Sequence, residues 1–127
     1  MNKARGFTLI ELMITLVIVA IIAAIAIPSY RQSVIKGNRR AAQSVMMEIV
    51  NRQQQYFLAN RVYADEAVLD CGLPDDVELN YECDVNTALP VGPPPGFTVT
   101  FTPEGGQVSD GTLTVNSLGE KTPEDKW

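Results

Sequence analysis

Histidine is absent from this 127-residue chain, so it holds no imidazole base or imidazole ligand. Nothing in it matches a nucleophile elbow, a phosphate-cradling glycine loop or a zinc knuckle. An enzyme is therefore not expected, and no cofactor is implied. Cysteine is almost missing too, with only Cys71 and Cys83, which allow one bridge enclosing 11 residues. A small acidic domain gains about 2–4 kcal/mol from such a staple, which would place it in an oxidising compartment. The alternative is two buried thiols in a reducing one, and the apolar segment upstream favours the bridge.

Positive charge is scarce in the second half. From Val62 to Trp127 there are 13 acids against Lys121 and Lys126, a balance of −11. From Pro28 to Arg61 the sign reverses, with six bases against Glu48, a balance of +5. The two balances suggest contact between the acidic part of one copy and the basic part of another; two separately solvated faces are the plainer alternative. The acids Asp65, Glu66, Asp70, Asp75, Asp76, Glu78, Glu82 and Asp84 fit no D-x-[DN]-x-[DN]-G loop, so a solvated acidic loop is expected and no metal site.

Long apolar runs are also lacking, except for one. Phe7 to Ile27 spans 21 residues with a single charge, Glu11. As a helix it reaches about 31 Å, enough to cross a bilayer core. An acid at the centre of such a span costs about 2.5–3.5 kcal/mol on insertion scales, and less nearer its end. Glu11 therefore asks for a function, the alternative being a plain anchor with a tolerated interfacial acid. Ala20 and Ala24, with Ala23 and Ala26 beside them, would let neighbouring helices approach closely. A secretory signal would have a shorter apolar stretch followed by a small-residue cleavage site. Here the small residue, Gly6, precedes the run. Charge counting gives a conflict. Lys3 and Arg5 lie before the span and Arg31, Lys36, Arg39 and Arg40 after it, which by number would retain the second side in the cytoplasm. The cysteine pair, and the difficulty of exporting an amino terminus unaided, favour a cytoplasmic start.

RGFTLIEL, followed by the apolar run and Pro28, closely resembles the class III signal of type IV pilins and pseudopilins. The resemblance is strongest over residues 1–30 and recognisable to the end of the chain. It implies a leader over 1–6, cleavage between Gly6 and Phe7 by a prepilin peptidase, and N-methylation of Phe7. It also implies assembly through Phe7, Glu11 and Pro28, with the Glu11 carboxylate meeting the Phe7 amine of a neighbouring subunit. Many members have glycine where Ala20 stands, which puts local melting of the helix there in doubt.

Beyond Pro28, Val34, Ile35, Ala41, Ala42, Val45, Met46, Ile49 and Val50 recur at helical spacing between polar residues. Gly37-Asn38 is a turn signal, and Asn38 could cap a new helix. With the resemblance, one helix is expected to end near Leu58, comprising a membrane or filament-core part (7–29) and an amphipathic stem (30–58). Residues 59–127 would form an exposed head. Strands are expected over Val77–Val85, Phe97–Thr102 and Thr112–Asn116, with turns at 90–96 and 103–111. QYFLANRVYA and FTVTFTPEGGQVSDGTLTVNSLGEK resemble the helix exit and last strands of PilE-type minor pilins. Relatives often carry a cysteine close to the end. This chain closes EDKW, leaving the last loop untethered unless Trp127 packs back.

The fold class expected is α+β: a type IV pilin-like long amino-terminal helix against a small antiparallel sheet. The implied function is a minor pilin supporting pilus biogenesis, and hence twitching motility or adhesion, with a major pilin or a type II secretion pseudopilin as alternative and, behind these, a pilin head that binds DNA or a surface. Implied partners are other pilins, prepilin peptidase, the inner-membrane assembly machinery and the membrane itself. The implied locations are the bacterial inner membrane, then the extracellular pilus. The −11 balance argues against a nucleic-acid partner.

Overall fold

The computed structural model describes residues 6–87 and 95–127. Residues 1–5 of the expected leader and most of the expected 90–96 turn lie outside them. The chain divides into two units, 1–34 and 35–127. Helix α1 (Leu9–Asn60) is continuous through Pro28 and Gly37. The single helix expected forms, and the new start that Asn38 could have capped does not. A Cβ at Gly37 would meet nothing within 4 Å, and Asn38 turns its side chain to tertiary partners instead. The helix ends two residues later than expected, where Arg61 adopts φ 62° and its N–H donates to the Phe57 carbonyl at 2.8 Å.

In the first unit almost every side chain is exposed, including the large apolar ones. An 18-residue window of α1 has mean hydropathy 2.9 and is 0% buried. A helix apolar all round needs lipid or other helices about it.

The second unit buries one stripe of α1: Ala42, Val45, Met46, Ile49, Val50 and Gln53, spaced at three and four residues. Against it lies an antiparallel sheet in the order β1 (Tyr81–Asn86), β2 (Thr98–Pro103), β3 (Leu113–Asn116) and β4 (Lys121–Thr122). Val85, Val99 and Val115 align across three strands, and Phe101 sits opposite Leu113. These inward residues, with Phe97 and Tyr81, make the core.

The first strand is shorter than expected. Asp75–Glu78 forms the short helix α2, whose turn places Val77 inside while Val77 and Glu78 donate to the Pro74 carbonyl. Residues 105–110 are a 3₁₀ helix rather than a simple turn. β4, with two residues and no alternation to read, was not foreseen. Trp127 does pack back. It lies against the core, Lys121 Nζ is 4.6 Å from its ring centroid, and Gln43 Nε2 donates to the Lys126 carbonyl at 2.7 Å. The last loop is thereby tethered without a cysteine.

Candidate assembly site and the lock of the head

Phe7 stands at the tip of the apolar helix and is 77% exposed. Thr8 caps the helix, its Oγ1 accepting the Glu11 N–H at 3.3 Å. TLIE is half of a capping box, a signal present in the sequence but overlooked beside the apolar run. A carboxylate in the first turn also complements the positive helix end. Neither role neutralises it. Among the described residues the Glu11 side chain has no ion-pair partner, and it is the one charge between Phe7 and Ile27. Phe7 precedes α1 and Glu11 lies in its first turn, so both stand at the same helix end. Pro28 lies within α1, where it removes one backbone donor.

Cys71 and Cys83 are disulfide-bonded, with Cα atoms 6.5 Å apart. The bridge ties the connecting loop to β1. Arg52 on α1 supports the same loop, donating to the Asp70 and Cys71 carbonyls at 3.2 and 2.7 Å. Gln53, fully buried, exchanges two hydrogen bonds with the backbone of Ala64, satisfying both polar ends of its amide.

A polar lock missed in the sequence fastens the helix to the rest of the second unit. Asp110 is 3% exposed, yet its carboxylate accepts from Arg39, the Tyr81 hydroxyl at 3.0 Å and Gln107 Nε2 at 3.3 Å. Arg39 reaches it through both Nε and Nη2, a fork a lysine could not supply. Gln107 also donates to the Ile35 carbonyl at 2.8 Å and accepts from Asn38. Burial pushes the Asp110 carboxyl up, but hydrogen bonds from Arg39 and Tyr81 and the Arg39 charge outweigh it and hold the group below its ordinary value. Burial first, then the bond to Asp110, pushes the Tyr81 phenol up to about 12. The hydrogen bond to Asp110 raises Arg39 further. The lock has no substrate-facing group. It fixes the angle at which α1 enters the core of this unit.

A family model for the prokaryotic N-terminal methylation motif matches residues 1–27, and one described as "Type IV minor pilin ComP, DNA uptake sequence receptor" matches residues 28–114. The chain belongs to the type IV pilin family. The type IV wide pilus major component PilA4 of Thermus thermophilus is 30% identical over 97% of this chain and 100% of its own length. The type II secretion system core protein G of Escherichia coli is 32% identical over 49% of this chain and 43% of its own. A type IV pilin structure from Shewanella oneidensis superposes with TM-score 0.54, covering 71% of this chain and 92% of that one at 20% identity, a likeness of fold. The pilin is thus a filament subunit with a methylation motif, a long amino-terminal helix and a four-stranded sheet. Its exposed apolar helix suits a membrane-anchored precursor, and its relatives imply assembly with other pilins.

Proposed function

We propose that this pilin is a minor pilin, made as a precursor with the leader 1–6. Prepilin peptidase cuts between Gly6 and Phe7 and methylates the new Phe7 amine. The precursor waits as a single-pass protein of the bacterial inner membrane, with residues 59–127 in the periplasm. The inner-membrane assembly machinery then adds it to an extracellular pilus that serves twitching motility or adhesion. The carrying observation is the Phe7-to-Ile27 stretch, apolar, almost wholly exposed and holding one acid that lacks a partner among the described residues. Repacking such helices against one another shields them once they leave lipid, and the unpaired Glu11 gives each added subunit a register mark against the Phe7 amine next to it.

Similarity to the ComP-type minor pilins over 28–114 supports the minor role. A DNA partner, which that family description names, is left out for this chain. Residues 62–127 carry −11, the wrong sign for capturing phosphates. End-to-end similarity to a major component favours a second reading, that of a major pilin. Quantifying the subunits of sheared pili separates the two. The proposal expects this chain as a small fraction of filament protein, and its presence as the bulk would select the second reading.

A further inference from the structure

The second unit carries two cavities of opposite sign. One, of about 380 Å³, is lined by Lys36, Arg39, Arg40 and Gln43 of α1 and by Lys126 and Trp127. Arg39 and Lys126 are already turned to Asp110, the latter at 4.0 Å, and Asp125 adds a second acid nearby. Lys36 and Arg40 are exposed and meet no acid among the described residues. Four bases against two acids leave this cleft cationic. The other cavity, of about 450 Å³, lies beside the disulfide and is lined by Glu66, Asp70, Glu78, Glu82 and Glu104, with Tyr81. All five acids are exposed and none has an ion pair among the described residues. The two cavities are joined by one relay: Tyr81 of the acidic cavity donates to Asp110, whose partners Arg39 and Lys126 line the cationic cleft.

We propose that the cationic cleft of one copy receives the acidic rim of a second copy, Lys36 and Arg40 meeting Glu78, Glu82 or Glu104. This rests on the second reading above, a major pilin, in which copies of this chain stand side by side; a chain found to be only a small fraction of filament protein removes it. The occupant follows from charge. Each cavity holds surplus charge that the folded chain leaves uncompensated, and the two surpluses are opposite. A contact between two different patches of one chain is heterologous, and such a contact propagates along a helix instead of closing into a dimer. That is the geometry a filament requires. The charges steer and register the subunits while the apolar helices supply most of the attraction.

The test uses the full chain in sheared filaments treated with a water-soluble carbodiimide, which joins a lysine amine to a touching carboxylate. Wild-type filaments are expected to yield a covalent dimer linked from Lys36 or Lys126 to Glu78, Glu82 or Glu104. The double reversal K36E/R40E places like charges together and is expected to lower the dimer yield about tenfold or more. Adding E78K/E82K to the same chain is expected to restore it. The neutral K36Q/R40Q, which disturbs the fold least, is expected to fall between wild type and reversal. A reversal that leaves the dimer intact, or a loss that E78K/E82K does not restore, overturns the contact while the filament reading stands. So does a wild-type chain that gives no dimer but binds duplex DNA in a salt-dependent manner that K36E/R40E abolishes. Wild-type chain missing from sheared filaments overturns the filament reading as well.

Discussion

Replacing Asp110 by alanine is expected to destabilise the folded head by about 3–5 kcal/mol, the usual cost of breaking a buried ion pair from one side. The change strands Arg39, whose side chain is only 19% exposed, and removes the acceptor for the Tyr81 hydroxyl and for one contact of Gln107. At about 4–8 °C per kcal/mol for a domain of this size, melting of the detergent-solubilised chain should fall by roughly 12 °C or more. Arg39→Met is expected to cost less, because Asp110 keeps Tyr81, Gln107 and the more distant Lys126. Equal losses from both variants would show that the fork alone holds the lock and that the Tyr81 and Gln107 bonds to Asp110 add nothing. The pH dependence follows from the same groups. The folded Asp110 carboxyl lies below its unfolded value, so its contribution is complete above about pH 4 and declines as pH falls through the lowered folded value. Tyr81 acts at the other end: its contribution holds below about pH 10 and is lost as pH rises towards about 12.

Glu11→Ala is expected to leave membrane insertion intact and to reduce incorporation into pili by about a hundredfold or more, as follows if 3–5 kcal/mol is lost when a neighbour's amine is left unpaired in an apolar core. Insertion should if anything become easier, since the variant removes the one acid from the span. The folded 35–127 unit, whose core is built from its own residues, should be untouched. Membrane fractions would then contain the variant at wild-type abundance while sheared pili lack it. Wild-type incorporation of the variant would remove Glu11 from assembly and leave it only the local role of complementing the helix end above Thr8.

The parts legible in the sequence were those written as repetition. The stripe from Ala42 to Val50 and the alternation of Phe97, Val99 and Phe101 each repeat a period and appear where it places them, and the apolar run is one unbroken composition. The cysteine pair was legible because two cysteines permit one bridge. What escaped reading depends on single residues meeting across long separations. Asp110 looked like one more acid in an acidic region, and only the fold places it 71 residues from Arg39 in sequence yet in contact with it. Gln107 sat in a stretch read as a turn, and its burial follows from the 3₁₀ helix that carries it inward. Gln53 fell among three glutamines that composition alone could not distinguish. The two-residue strand β4 has too little length for a period, and exists because β3 offers it an edge.

The charge asymmetry was visible from the start, but its meaning changed. A basic stretch and an acidic stretch suggested contact between copies. In the folded unit part of that attraction is already used internally, by Arg39 and Lys126 on Asp110. The residual charge is narrower: Lys36 and Arg40 on one side, and the glutamates around the disulfide on the other.

The central claim is that the amino-terminal stretch is a processed assembly signal and not simply an anchor. Intact-mass and amino-terminal sequencing of the chain from wild-type cells tests it directly. The mature chain is expected to begin at residue 7, with N-methyl-phenylalanine. A chain that still begins at Met1, in cells that process their other prepilins, would contradict it.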